Sequence, residues 1–275
     1  MATIALAPQR PLGLAGVARM LGNETDKGLR IWWSHKITLI PQLALMSTTY
    51  LLFQAVLGGG HFVQALLPLT LLAYLAYVAG YMALLKMAAG LLEEVNAGTL
   101  EQTHLSPLPA WALSLGRLGA VLAEALLTAA IIGVALVLAL HIQLPLGLAA
   151  ALPLALTLAD IVGFTLLIAA LALIVPSIGA ILHVIQGGVM FFNGGLLPIT
   201  AFPHWLEVFA KLVPTTLGLD AAWRIMFGHE PLAGVWADHS LLFALVHAAV
   251  LVAVGWAAYQ MAIRQGLREG RLGPR

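Results

Sequence analysis

The polar groups of this chain are few, and their spacing is what gives them meaning. A polar island, Leu92-Glu93-Glu94-Val95-Asn96-Ala97-Gly98-Thr99-Leu100-Glu101-Gln102, separates two long apolar stretches. Thr99 and Gln102 have the Thr-x-x-Gln spacing of a capping box, in which each side chain satisfies a backbone N–H orphaned at a helix start. Ser106-Pro107-Leu108-Pro109 then stops that helix after about two turns, because proline lacks the amide hydrogen and clashes with the turn before it. A short helix flanked by Glu94 and Glu101 suits docking onto a soluble motor. A loop face that is merely solvated is the other reading composition allows.

The remaining polar groups sit inside apolar stretches, where every unpaired polar atom is costly. Gln42, Met46, Thr49 and Phe53 fall on one helical face. Tyr74, Tyr77 and Tyr81 follow Thr70 on another, and Gly179, His183, Gln186, Met190 and Asn193 recur at helical intervals on a third. Such faces either pack helices together, as small and polar residues do in membranes, or line a path that is mildly polar, aromatic and uncharged. Such a path would suit an amphipathic or lipophilic cargo. Glu124 and Asp160 have no obvious cationic partner nearby in sequence, and with His183 they read as hydrogen-bonded structural groups or as a proton relay.

No catalytic residue and no metal site is expected. Each of the four lysines follows Asp, His, Leu or Ala, so the Gly-Lys step of a phosphate-binding loop is missing. His229-Glu230 starts like a zinc-protease helix, but Pro231 would break it and Ala233 stands where a second His is needed. The nine His residues are scattered, there is no Gly-x-Ser-x-Gly elbow, and there is no Cys.

The elements that must position these groups are membrane helices. With 61% apolar and 9% charged residues and a mean hydropathy of +0.97, the 275 residues cannot fold around one soluble core. The expectation is an all-α membrane protein forming one domain over 1–275. Six spans are expected, at Ile37 to Leu57, Phe62 to Leu85 and from near Leu118, Leu146, Ile178 and Leu241. Residues 1–36 read as an amphipathic interfacial segment broken at Gly22-Asn23, 92–110 as the coupling loop, 196–232 as short re-entrant outer helices, and 264–275 as a basic tail. In the outer segment Pro198, Pro203 and Pro214 punctuate the chain, and Glu207 with Lys211 and Asp220 with Arg224 are spaced as ion pairs. Arg10, Arg19, Lys27, Arg30, Lys36, Lys86, Arg117, Arg264, Arg268, Arg271 and Arg275 fall on one side and only Lys211 and Arg224 on the other, which predicts both termini in the cytoplasm.

The chain resembles the type-2 ATP-binding-cassette permeases, including daunorubicin-type multidrug exporters. The likeness rests on Glu94, Gly98-Thr99-Leu100-Glu101-Gln102, Ser106-Pro107 and Gly116-Arg117, and on a second block from Pro198 through Trp205, Pro214-Thr215-Thr216 and Leu219-Asp220 to Arg224. It implies a half-transporter in a prokaryotic inner membrane: two six-span permease copies, expected as a homodimer, seated on two ATPase subunits that carry ATP and Mg. It also implies that Glu94 to Gln102 couples to the ATPase, with Gly98 permitting the turn, Thr99 capping and the two acids meeting basic residues of the motor. Gln42, Thr49, Tyr74, Tyr77, Tyr81, His183, Gln186 and Asn193 would line the path, and Pro198, Pro214, Asp220 and Arg224 the outer gate. Lipid and a small-molecule cargo are the further partners expected, and no nucleic acid. Export of a lipid-linked glycan and a non-transporting scaffold are the competing readings.

Overall fold

The computed structural model describes residues 14–100, 110–145, 147–175, 178–194, 199 and 202–270. These form helices and, among the described residues, no strand: α1 (Leu14–Ser34), α2 (Lys36–Leu57), α3 (Leu67–Ala97), α4 (Ala110–Leu140), a 3-10 turn at Leu148–Ala150, α5 (Ala151–Ile174), α6 (Gly179–Phe192), α7 (His204–Ala210), α8 (Thr216–Met226), α9 (Leu232–Ala237) and α10 (Ser240–Glu269). Helices α2, α3, α4, α5 with its 3-10 turn, and α10 are long and apolar enough to cross a membrane. The chain is thus an all-α membrane protein. Helix α6 has 14 residues, about 21 Å of helix against a hydrocarbon core of about 30 Å. The fifth of the six expected spans is therefore a short apolar helix that ends where Asn193-Gly194 loosens the backbone.

Several boundaries differ from the sequence reading: the third span, expected from near Leu118, starts at Ala110, and the second runs past Leu85 to Ala97. The second span starts at Leu67 instead of Phe62, with proline in its first turn, where a missing N–H costs nothing. Helix α1 runs unbroken through Gly22-Asn23. Glycine costs a helix about 1 kcal/mol, and tertiary packing offsets it here. Glu24 lies on Gly116 of α4, and Gly28 lies on Ala120 one turn further along. Thr25 Oγ1 donates to Leu21 O at 2.9 Å, and Asp26 pairs with Arg30 at 2.7 Å.

Helix α3 is the hub. Leu67, Leu71, Val78, Ala83, Met87 and Leu91 are fully buried in a core that takes in Ala125, Ile132 and Leu136 of α4, Ile161 and Leu166 of α5 and Tyr259 of α10. Helices α5 and α10 cross closest at Gly163 and Gly255. A Cβ on Gly255 would stand 2.2 Å from Gly163 O, and one on Gly163 would stand 2.5 Å from the Leu251 carbonyl carbon. Small residues let membrane helices approach backbone to backbone. By contrast Gly90 of α3 has open space around it. Gly255→Ala should therefore lower the thermal midpoint of the lipid-embedded protein by several degrees, the cost of overpacking being about 1–3 kcal/mol. Gly90→Ala should hold or raise it. Equal midpoints for the two variants would refute the close crossing.

Candidate functional site

At one end of the bundle, α3 stops in Gly98, whose φ of 69° is a left-handed conformation that glycine adopts without Cβ strain. Thr99 Oγ1 reaches back to Glu94 O at 3.4 Å, and Leu100 is buried in the core. Glu101, Gln102 and the Ser106-Pro107-Leu108-Pro109 stop lie outside the described residues. Glu94 is engaged within the chain: Arg117 Nη2 of α4 donates to both carboxylate oxygens at 2.5 Å. Two turns deeper Lys86 pairs with Glu124. These two ion pairs cross-link the α3–α4 hairpin beside the turn. A cleft of about 410 Å³ opens between the Glu94–Arg117 pair and α1, lined by Glu24, Lys27, Gly28, Glu94 and Arg117 among others.

The tyrosine face of α3 is a continuous ladder. Ring centroids are 5.2 Å apart for Tyr50 and Tyr74, 5.9 Å for Tyr74 and Tyr77, and 6.0 Å for Tyr77 and Tyr81. The polar groups of α2 fasten it to this face. Tyr50 Oη donates to Leu67 O at 2.9 Å, Gln54 Nε2 to Thr70 Oγ1 at 2.7 Å, Gln42 Nε2 to Met82 Sδ at 2.9 Å, and Tyr74 Oη to Met46 O at 2.6 Å. Thr49 Oγ1 instead donates to Leu45 O of its own helix at 2.8 Å. On α6, Gln186 and Met190 are buried, and Asn193 Nδ2 donates to Ala73 O at 3.3 Å. His183 is exposed and leaves the stripe expected for it. The buried face runs through Leu182, Gln186 and Asn193, and one residue's step of about 100° from Leu182 turns His183 out of it.

Asp160, on the third turn of α5, is 1% exposed. It gathers three elements. Its Oδ2 accepts from the Thr215 N–H at 3.0 Å, and its Oδ1 is 2.9 Å from His247 Nδ1 of α10. His247 Nε2 is 3.3 Å from Leu212 O. The elbow joining α7 to α8 therefore packs into the bundle beside Asp160. Thr215 caps α8 through its backbone: φ is 76° and its side chain makes no capping bond, while its carbonyl accepts from the Leu219 N–H at 3.0 Å. The carboxylate on the N-cap amide sits at the positive end of the α8 dipole.

At the opposite end Glu207 pairs with Lys211 at 2.7 Å, as spaced. Arg224 does not pair with Asp220. Its guanidinium holds Glu230 through Nη2 at 2.6 Å and Nε at 3.1 Å, Ser240 Oγ at 2.8 Å, and Asp238. The loop after α8 folds back, Glu230 N–H donating to Arg224 O at 3.1 Å, and a forked guanidinium–carboxylate pair outcompetes an i,i+4 contact worth about 0.3–0.5 kcal/mol. Burial pushes the Asp220 carboxyl up, against the lowering effect of Arg224 and Lys211. The Ser240 backbone N–H, then Arg224, hold Asp238 down at about 2 from 3.8. With the folded value depressed, its contribution is complete above 3.8 and is lost only as pH falls toward 2, so mild acid leaves the Asp238–Arg224 contact in place. Pro198 lies outside the described residues.

His247 and Lys86 were invisible as partners because they stand far from Asp160 and Glu124 in sequence. One signal existed: Lys86 and Glu124 lie at similar distances on either side of the loop joining α3 and α4, as partners across an antiparallel hairpin must. If Asp160 holds the elbow, Asp160→Ala leaves the Thr215 N–H and His247 unsatisfied, at about 1–3 kcal/mol for each buried group. Asp160→Asn keeps an acceptor. Thermal midpoints should order wild type, Asn, Ala, with limited proteolysis after Lys211 accelerating in the reverse order. Wild-type behaviour of Asp160→Ala would remove it from this role.

A family model described as ABC-2 type transporter matches residues 24–227. A comparison with curated proteins finds no match. The matched stretch takes in most of α1, the Gly98 turn with its Glu94–Arg117 clamp, the tyrosine ladder and the Asp160-anchored elbow through the end of α8. On a match over most of its length, the chain belongs to the ABC-2 type transporter family.

Proposed function

We propose that this chain is one of two identical permease copies of an exporter that moves an amphipathic or lipophilic compound out of the cytoplasm, powered by two copies of a separate ATPase carrying ATP and Mg. Family membership makes it the membrane component of an ATP-binding-cassette transporter, with an ATPase as its partner. What supports the cargo class is the ladder of Tyr50, Tyr74, Tyr77 and Tyr81. The Tyr77 and Tyr81 rings stack at 6.0 Å, and each ring has an apolar face and a hydroxyl edge.

The geometry supplies a route for the drive. A push on the turn at Gly98 and on α1 reaches α3 and α4 together, since Glu94–Arg117 and Lys86–Glu124 bind those helices to each other and α1 lies on α4. Packed helices move as units between discrete arrangements, so α2, α3 and α6 tilt as a group with the clamped α4, and the Asp160-held elbow serves as the outer gate. In this reading residues 92–110 are the coupling loop, both termini are cytoplasmic and the membrane is a prokaryotic inner membrane.

Mild extraction of the tagged chain followed by intact-complex mass measurement should return two copies with two ATPases. The chain alone under several mild conditions would overturn the assembly. Glu101→Ala and Gly98→Ala should each cut transport about tenfold, a coupling loss of about 1.4 kcal/mol, while ATP hydrolysis persists; full transport in both variants would refute coupling at this turn. Tyr77→Ala should change the ranking of cargoes in a competition assay at unchanged ATPase turnover, and an unchanged ranking would return the ladder to packing alone.

A further inference from the structure

Where α3, α5 and α6 meet the elbow, the chain leaves a cavity of about 20 Å³ walled by Tyr77, Tyr81, Phe164, Gln186, Pro214 and Thr215 among others. Two polar atoms in that wall are buried and have no hydrogen-bond partner among the described residues: Gln186 Nε2 and Thr215 Oγ1. Their residues are 4% and 3% exposed. A buried amide or hydroxyl without a partner costs about 1–3 kcal/mol, and native structures rarely leave one so. A single water needs roughly 10–15 Å³ of such space and two to four polar partners. The volume admits one such molecule and no larger ligand, and the orphaned groups supply donors and an acceptor. Gln186 Nε2–H donates, and the Thr215 hydroxyl can donate or accept.

We propose that this cavity is a binding site for one resident water, held between Gln186 of α6 and Thr215 of the elbow. The inference does not depend on what crosses the membrane. It makes the joint between the two elements a hydrated one: Asp160 takes the backbone of Thr215, and the water takes its hydroxyl. A water-bridged contact keeps its enthalpy while its partners shift by a few tenths of an ångström, which a direct side-chain pair would not.

The test is X-ray hydroxyl-radical footprinting of the full-length chain in lipid nanodiscs, with rapid mixing into water labelled with oxygen-18. A resident water oxidises Tyr77, Tyr81 or Pro214 with oxygen that exchanges with bulk slowly, over many times the mixing time. No oxidation at these side chains means a dry cavity, and label that exchanges within the mixing time means an open aqueous path; either overturns the proposal. A thermal-stability cycle asks whether Gln186 and Thr215 hold the water. Gln186→Met and Thr215→Val should each lower the midpoint by roughly 2–4 °C, and the double variant by no more than the larger single, because removing both polar groups abolishes the need for the bridge. Additive losses would assign the water to other groups and overturn the site as drawn. If a variant does not fold, the footprint of the wild-type chain still decides.

Discussion

A carboxylate buried within a membrane helix must have its oxygens satisfied by the protein, since lipid offers nothing to replace water. Asp160 sets that condition here, and the arrangement of half the molecule answers it. One oxygen needs a donor, and the amide that opens α8 provides it. The other needs a second, and His247 of α10 faces it. For the amide to be there, the chain between α6 and α10 must dip into the bundle and turn at Pro214-Thr215. For the histidine to be there, α10 must lie hard against α5, which Gly163 and Gly255 allow. The close helix crossing, the elbow and the buried acid thus form one construction. Gly218 fits the same plan: a Cβ there would meet Thr157 Oγ1 at 2.3 Å, so α8 also rides tightly on α5.

A second construction stands at the Gly98 end and follows a different logic. There the charges are exchanged directly, Glu94 with Arg117 and Lys86 with Glu124, and both pairs join α3 to α4. Neighbouring apolar surface alone would let two lipid-facing helices slide, since lipid tails are as apolar as leucine. Ion pairs at two levels fix their register. Helix α2, by contrast, buries only Leu39, Tyr50 and Gln54 and is tied on through hydroxyl and amide groups, so its attachment to α3 is specific but narrow.

How much of this could be read from the residues follows from the range of each interaction. Apolar runs and prolines act within one helix, and they located α2, α3, α4, α5 and α10 and announced the punctuated segment before α10. Periodicity in α3 is likewise local, and the tyrosine face stands as spaced. The misreadings share one cause. Gly22-Asn23 looks like a break until α4 is beneath it; Asp220 looks like the partner of Arg224 until Glu230 and Asp238 are folded onto it; His183 looks like part of a stripe until the buried face of α6 is seen to centre on Leu182 and Gln186. Each was decided by how the segment packs in the fold, which spacing along one helix cannot weigh. Asp160 and Glu124 invited the opposite error, since they looked unpartnered only because their partners stand on other helices.

The distribution of these charges also determines how the molecule feels an electric field. A unit charge carried across the full potential of a membrane changes energy by about 2.3 kcal/mol per 100 mV. Lys86 with Glu124 and Arg117 with Glu94 are compensated couples, each of which would move together as α3 and α4 move. A field does no net work on such a couple. The Asp160 site differs, because its carboxylate faces an imidazole whose charge depends on a proton. An acid facing an imidazole is such a couple only when the ring is protonated, so a field would bear on the elbow's anchor differently from the clamped hairpin.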